Sequence, residues 1–165
     1  MKTLHIVGFK NSGKTTLITR WIRLAKKQGL SVAVLKHHGH ASPLDLPDST
    51  TDSMQFLISG ADVSAVSGGG AVQFHMNEEL DFRRMKEIAT IGNPDILLIE
   101  GYKEEQGEKV VLVRDQTDWD ELKNLHNIQL VVEQSDSISG FQRILARVHE
   151  EQLDSWFLNW FEEGV

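Results

Sequence analysis

The stretch LHIVGFKNSGKTTLITRW, Leu4–Trp21, decides how the rest of the chain is read. The mostly apolar run LHIV, Leu4 to Val7, stops at a glycine; a polar, glycine-bearing segment follows; then Leu17, Ile18, Trp21, Ile22 and Ala25 recur at the spacing of one helical face. Strand, turn and helix in that order are the setting a phosphate-binding loop requires. Gly8, Gly13, Lys14 and Thr15 fit G-x-x-x-x-G-K-[ST], the Walker A pattern, without a mismatch. The glycines permit a tight turn whose backbone N–H groups face inward, and the new helix adds its unpaired N-terminal donors and positive dipole end. In such a cradle Lys14 reaches the β- and γ-phosphate oxygens, and the Thr15 hydroxyl becomes a ligand of a Mg²⁺ ion bridging them. Asn11, Ser12 and Gly13 form the wall of the loop, and Thr16 is a helix residue near the α-phosphate.

Working outward, short apolar runs alternate with helical patterns: SVAVL at Ser31–Leu35, ADVSAV at Ala61–Val66, DILLIE at Asp95–Glu100, KVVLV at Lys109–Val113 and IQLVVE at Ile128–Glu133. This alternation predicts an α/β fold of three layers, a mostly parallel sheet with helices on both faces. The first helix stops at Gly29. From Pro43 to Ser53 the chain is rich in Pro, Asp, Ser and Thr and reads as a loop, with a helix following from Asp52. Ser67-Gly68-Gly69-Gly70 is a further break, after which AVQFHM and NEELDF read as a strand and a turn or hairpin, a small projection. DFRRMKEIATIG reads as a helix with Met85, Ile88 and Ala89 inward. In the tail, Leu153, Trp156, Phe157, Trp160 and Phe161 share one helical face, which either docks on its own domain or serves as an interface. No repeat or linker divides residues 1–165, so a single nucleotide-binding domain is expected.

Composition narrows the function. The formal net charge of −7 argues against nucleic-acid binding through a broad basic surface, and no segment has the length of a membrane span. With no cysteine there is no disulfide, thiolate metal site or thiol nucleophile, which suits a cytoplasmic protein.

A phosphate loop that binds Mg²⁺ calls for a second acidic oxygen ligand. Glu100 stands at the C-terminal end of a fully apolar strand, where ligands gather in open α/β sheets, and Gly101 lets the backbone pass close by. It is either an acid that binds Mg²⁺ through water, or one that orients the attacking nucleophile, or an ordinary solvated loop acid. Asp95, at the far end of the same strand, is structural. Asp52 is the second candidate for the metal, and its other reading is a helix cap. Lys36-His37-His38-Gly39-His40 forms a polar loop after the second strand; the run lacks the i, i+4 spacing that aims two imidazoles together, and Lys36 either adds charge near a phosphate or is solvated.

IVGFKNSGKTTL, LKHHGH, TTDSMQFLISGA and ILLIEGYK, in that order and spacing, together resemble the molybdopterin-guanine dinucleotide biosynthesis protein B family of P-loop proteins. The resemblance spans about the first two thirds of the chain. It implies GTP binding with Mg²⁺, weak GTP hydrolysis, a homodimer, and assistance to the enzyme that attaches GMP to molybdopterin. Carried across residue by residue, Gly8–Thr16 correspond to the phosphate-binding segment, with Lys14 and Glu100 as the residues of the chemistry and Thr15, Asp52 and Glu100 around the metal. Met54, Gln55 and Phe56 stand where the family often has an arginine after Asp-Ser. No Asn-Lys-x-Asp motif is present; Asp115 and Asp136, each after a strand, are either helix caps or acceptors for the guanine N1 and N2 donors. The competing reading is a small-molecule kinase or ATP-dependent ligase of the dethiobiotin-synthase-like type. Such enzymes use an arginine-bearing lid, and here arginines are sparse, with Arg83 and Arg84 the only adjacent pair.

Overall fold

The computed structural model describes residues 1–39, 43–134, 138, 141 and 144–163. Strands β1 (Lys2–Gly8), β2 (Val32–Lys36), β3 (Val63–Gly68), β4 (Ala71–Met76), β5 (Ile96–Glu100), β6 (Glu108–Val113), β7 (Ile128–Glu133) and β8 (Ile144–Ala146) are interspersed with helices α1 (Lys14–Lys27), α2 (Asp52–Ile58), α3 (Phe82–Ala89), α4 (Gln116–Leu122) and α5 (Glu150–Glu162). The chain forms two compact units, Met1–Gly39 with Met85–Val165, and His40–Arg84.

In the first unit six strands make one sheet in the order β2-β5-β1-β6-β7-β8, with every pairing parallel. Alternate residues of a strand face opposite sides, so a strand covered on both sides is apolar over most of its length. Leu4, Ile6, Ile96, Leu98, Val110 and Leu112 face α1 and α5, meeting Leu17, Ile18, Trp21, Leu153 and Phe157. Val7, Val111, Val113 and Val131 face the other way, against Trp119 and Leu122 of α4. The expected α/β architecture is present, and Ile96–Ile99 are fully buried.

Helix α1 closes as its glycine requires. Gly29 takes a φ of 78°, and the Leu30 and Gly29 amides donate to the carbonyls of Ala25 and Lys26 at 3.0 and 3.1 Å, the paired bonds of a Schellman ending. The aromatic tail docks on its own unit: the Phe157 ring stacks on Trp21 at 4.7 Å with 7° between planes, and Trp156 stacks on Trp21 at 5.8 Å.

The second unit holds α2 and an antiparallel hairpin of β3 and β4. Here the strand expected from ADVSAV leaves the parallel sheet. Its partner is AVQFHM, so the hairpin joins those two segments rather than AVQFHM and NEELDF. Gly69 and Gly70, both at positive φ between the paired Gly68 and Ala71, supply the two-residue turn that favours this pairing. Asn77 Nδ2 donates to the carbonyls of Leu57 and Ala61, each at 3.2 Å, tying the end of the hairpin to α2. Helix α3 buries none of its residues, and Ile88 is 37% exposed. Charged residues at 83, 84, 86 and 87 leave its apolar stripe about one residue wide per turn, too narrow to seal against a neighbour. Among the described residues no helix is long and apolar enough to cross a membrane.

Candidate functional site

The loop from Gly8 to Gly13 joins β1 to α1 at the C-terminal edge of the parallel sheet, and its backbone explains its sequence. A Cβ on Gly8 would lie 2.5 Å from the Leu112 carbonyl oxygen of β6 and 2.7 Å from Ser12 Oγ, so no other residue fits there. Asn11 sits at a φ of 65°, a left-handed conformation that asparagine tolerates better than most residues. Gly13 caps α1 at φ 93°, and the first turn of the helix has neither a side-chain cap nor an acidic residue. Its amide donors and positive end therefore face the loop uncompensated, as an anion site requires. Ser12 is buried, and its hydroxyl has no hydrogen-bond partner among the described residues.

Lys14 is folded back over this loop, with Nζ donating to the carbonyls of Gly8 at 2.9 Å and Phe9 at 2.7 Å. Burial pushes its ammonium below the ordinary lysine range; Glu100 opposes that shift, while Lys36 and Arg114 add to it. Thr15 and Thr16 occupy the exposed start of the helix.

Strand register brings the distant acid in. Glu100 is the Cα partner of Ile6 in β1 and of Lys36 in β2, so the end of β5 falls beside the loop. There the Thr15 hydroxyl donates to Glu100 Oε2 at 3.2 Å, and Lys36 Nζ lies 3.4 Å from Oε1. The carboxylate is only 9% exposed. Two hard oxygen donors thus meet at one wall of the cradle, a donor set suited to Mg²⁺, which prefers oxygen ligands and retains water. Lys36 pairs with that acid while its own side chain stays largely exposed. Next to it, Gly101 at φ 89° and Tyr102 at φ 50° turn the chain sharply, and the Tyr102 ring lies 4.7 Å from the His37 ring.

Of the other acids, one reading changes and two hold. Asp52 opens α2 in the second unit with its side chain exposed, and Thr51 rather than Asp52 is the N-cap residue. Asp115 is a cap: its carboxylate accepts from the Asp118 amide at 3.0 Å at the start of α4. Asp95 is structural, accepting from the Ser31 amide and hydroxyl at 2.7 Å each and so joining the starts of β2 and β5. Asp136 and His40 lie outside the described residues.

Two arginines at the loop went unread in the sequence. Arg114, one residue beyond β6, stands 5.8 Å from the Phe9 ring centre and is held by Asp118 through two bonds of 2.7 Å. Arg147, one residue beyond β8, packs its guanidinium against Gly13. The signal that finds them is position immediately after a strand of the parallel sheet, and β8 is too short to have been recognised.

Residues 3–134 match the family described as molybdopterin guanine dinucleotide synthesis protein B. A Bacillus subtilis protein described as a probable molybdopterin-guanine dinucleotide biosynthesis adapter protein is 34% identical over 139 residues, covering 84% of this chain and 80% of that one. Among solved structures, a MobB protein homolog from Bacillus stearothermophilus is similar with a TM-score of 0.81 at 29% identity, covering 99% of each chain. Bacillus subtilis MobB gives the same TM-score at 31% identity, covering 96% of this chain and 97% of that one.

Proposed function

The chain belongs to the molybdopterin guanine dinucleotide synthesis protein B family, and from that premise we propose that it is a GTP-binding adapter of molybdopterin-guanine dinucleotide synthesis. In this role it hydrolyses GTP weakly and assists the enzyme that attaches GMP to molybdopterin, as a cytoplasmic homodimer. The observation that carries the nucleotide reading is the meeting of Thr15 and Glu100 beside a complete phosphate loop. Family membership supports guanine as the base and supports Asp52 as a further acid for the metal.

Each residue's part follows from its present contacts. Lys14 exchanges the carbonyls of Gly8 and Phe9 for β- and γ-phosphate oxygens, and the charge-assisted bonds it then makes are stronger than those it gives up. Loop amides and the free end of α1 hold the phosphates in place. Thr15 and Glu100 hold Mg²⁺, which when bound offsets negative charge on the phosphates. Glu100 accepts from Thr15 and pairs with Lys36, so both of its oxygens are held at the wall of the cradle.

Calorimetric titration with GTP and ATP in Mg²⁺ tests this reading. Binding of GTP in preference to ATP is the expected result; equal affinity for the two, or no binding of GTP, overturns it.

A further inference from the structure

Besides Lys10, exposed within the loop itself, four cationic side chains gather around the phosphate loop, and three already have partners. Lys14 donates to loop carbonyls, Lys36 pairs with Glu100, and Arg114 is held by Asp118. The fourth is different. Arg147 is positioned by its backbone, whose amide donates to the Glu133 carbonyl at 2.8 Å across the β7–β8 edge. Its guanidinium lies over Gly13: a Cβ placed there would be 2.5 Å from Cζ, 2.5 Å from Nη1 and 2.7 Å from Nη2. Near-equal distances to three atoms mean that the plane of the guanidinium faces the glycine. Among the described residues no carboxylate pairs with it.

A guanidinium without an acid is poorly placed at the N-terminus of a helix, because the helix end is itself positive. This helix has 14 residues and no acid in its first turn to relieve the repulsion. An anion bound by the loop would relieve it by bringing negative charge to the helix end that the guanidinium overlies.

We propose that Arg147 is a second cationic residue of the phosphate site, binding the α- and β-phosphates of the nucleotide while Lys14 serves the β and γ positions. This deepens the nucleotide-binding reading above and rests on it. The backbone donors of a phosphate loop cradle the α- and β-phosphates, and Arg147 lies on that backbone rather than beside Glu100. A planar, permanently charged fork suits two phosphate oxygens better than a lysine would.

The test compares wild type, Arg147→Gln and Arg147→Lys by calorimetry with GDP, GTP and inorganic pyrophosphate in Mg²⁺, together with thermal unfolding of the nucleotide-free proteins. Arg147→Gln is expected to weaken GDP, GTP and pyrophosphate alike, by about tenfold. Arg147→Lys should recover part of the loss. The salt dependence of binding should become shallower in Arg147→Gln, while its nucleotide-free melting temperature does not fall. Affinities within twofold of wild type overturn the proposal, as does a loss for GTP that GDP does not share. A lowered melting temperature with the salt dependence unchanged assigns Arg147 a packing role and also overturns it. Wild type that binds ATP and GTP equally removes the guanine reading and leaves this proposal standing. Wild type that binds neither nucleotide nor pyrophosphate removes both.

Discussion

Lys14 is bonded to its own loop and faces the phosphate cradle, so its replacement removes a charge that a nucleotide would meet. Lys14→Ala is expected to weaken GTP binding by about a hundredfold, because charge-assisted contacts to phosphate vanish. Calorimetry measures this directly. For Glu100→Gln the outcome should divide differently. The amide keeps the shape and can still accept from Thr15, so GTP affinity should stay within about threefold, while Mg²⁺ dependence and phosphate release both fall sharply. Parental hydrolysis by that variant, followed by phosphate release, would remove Glu100 from the chemistry. Much of this site was legible in the sequence because a phosphate loop is a local structure: Gly8, Asn11 and Gly13 are dictated by backbone angles and close approaches within a few residues. Glu100 was legible for a second reason, its place at the end of an apolar strand. Arg147 carried no such mark. It reaches Gly13 through strand pairing, and a lone arginine after a three-residue strand looks like any surface cation.

At the scale of elements, α5 is held to α1 by two kinds of contact that differ in weight. Phe157 is fully buried and stacked on Trp21, whereas Arg20 pairs with Asp154 and Glu150 at the half-exposed rim. Phe157→Ala should cost about 3–5 kcal/mol by leaving a cavity, and Arg20→Ala about 1 kcal/mol or less, since exposed ion pairs contribute little. Urea unfolding of both variants gives the comparison, and a larger loss from Arg20 would mean that charge, not packing, docks the tail. The same contrast explains which elements could be read in advance. Strands buried on both faces are nearly continuous apolar runs, and α1 and α5 carry wide apolar faces. ADVSAV is equally strand-like, but which sheet a strand joins is decided by its turn, and Gly69-Gly70 looked like a break when it was a hairpin. Helix α3 shows the converse, an apolar repeat that periodicity detects and packing buries only in part.

Across the whole molecule, one source of acid sensitivity is a buried histidine. His5 is 1% exposed, and burial, with the charge of Lys109 beside it, lowers its pKa to about 4. The unfolded chain binds that proton near pH 6.5 and the folded chain resists it, so stability is complete above 6.5 and declines as the pH falls toward 4. The linked loss reaches about 3 kcal/mol. Denaturation at pH 7 and 4.5 should show it, and His5→Phe should flatten the profile; an unchanged profile would place the acid sensitivity among the carboxylates. The sheet that buries His5 also sorts the four tryptophans. Trp21, Trp156 and Trp160 stack on the α1 and α5 side, whereas Trp119 lies on the other face in the cluster that Phe9 of the phosphate loop packs against. The protein therefore carries two separate intrinsic fluorophore groups. Replacing the stacked three with phenylalanine leaves a single emitter, Trp119, in the cluster that borders the phosphate loop.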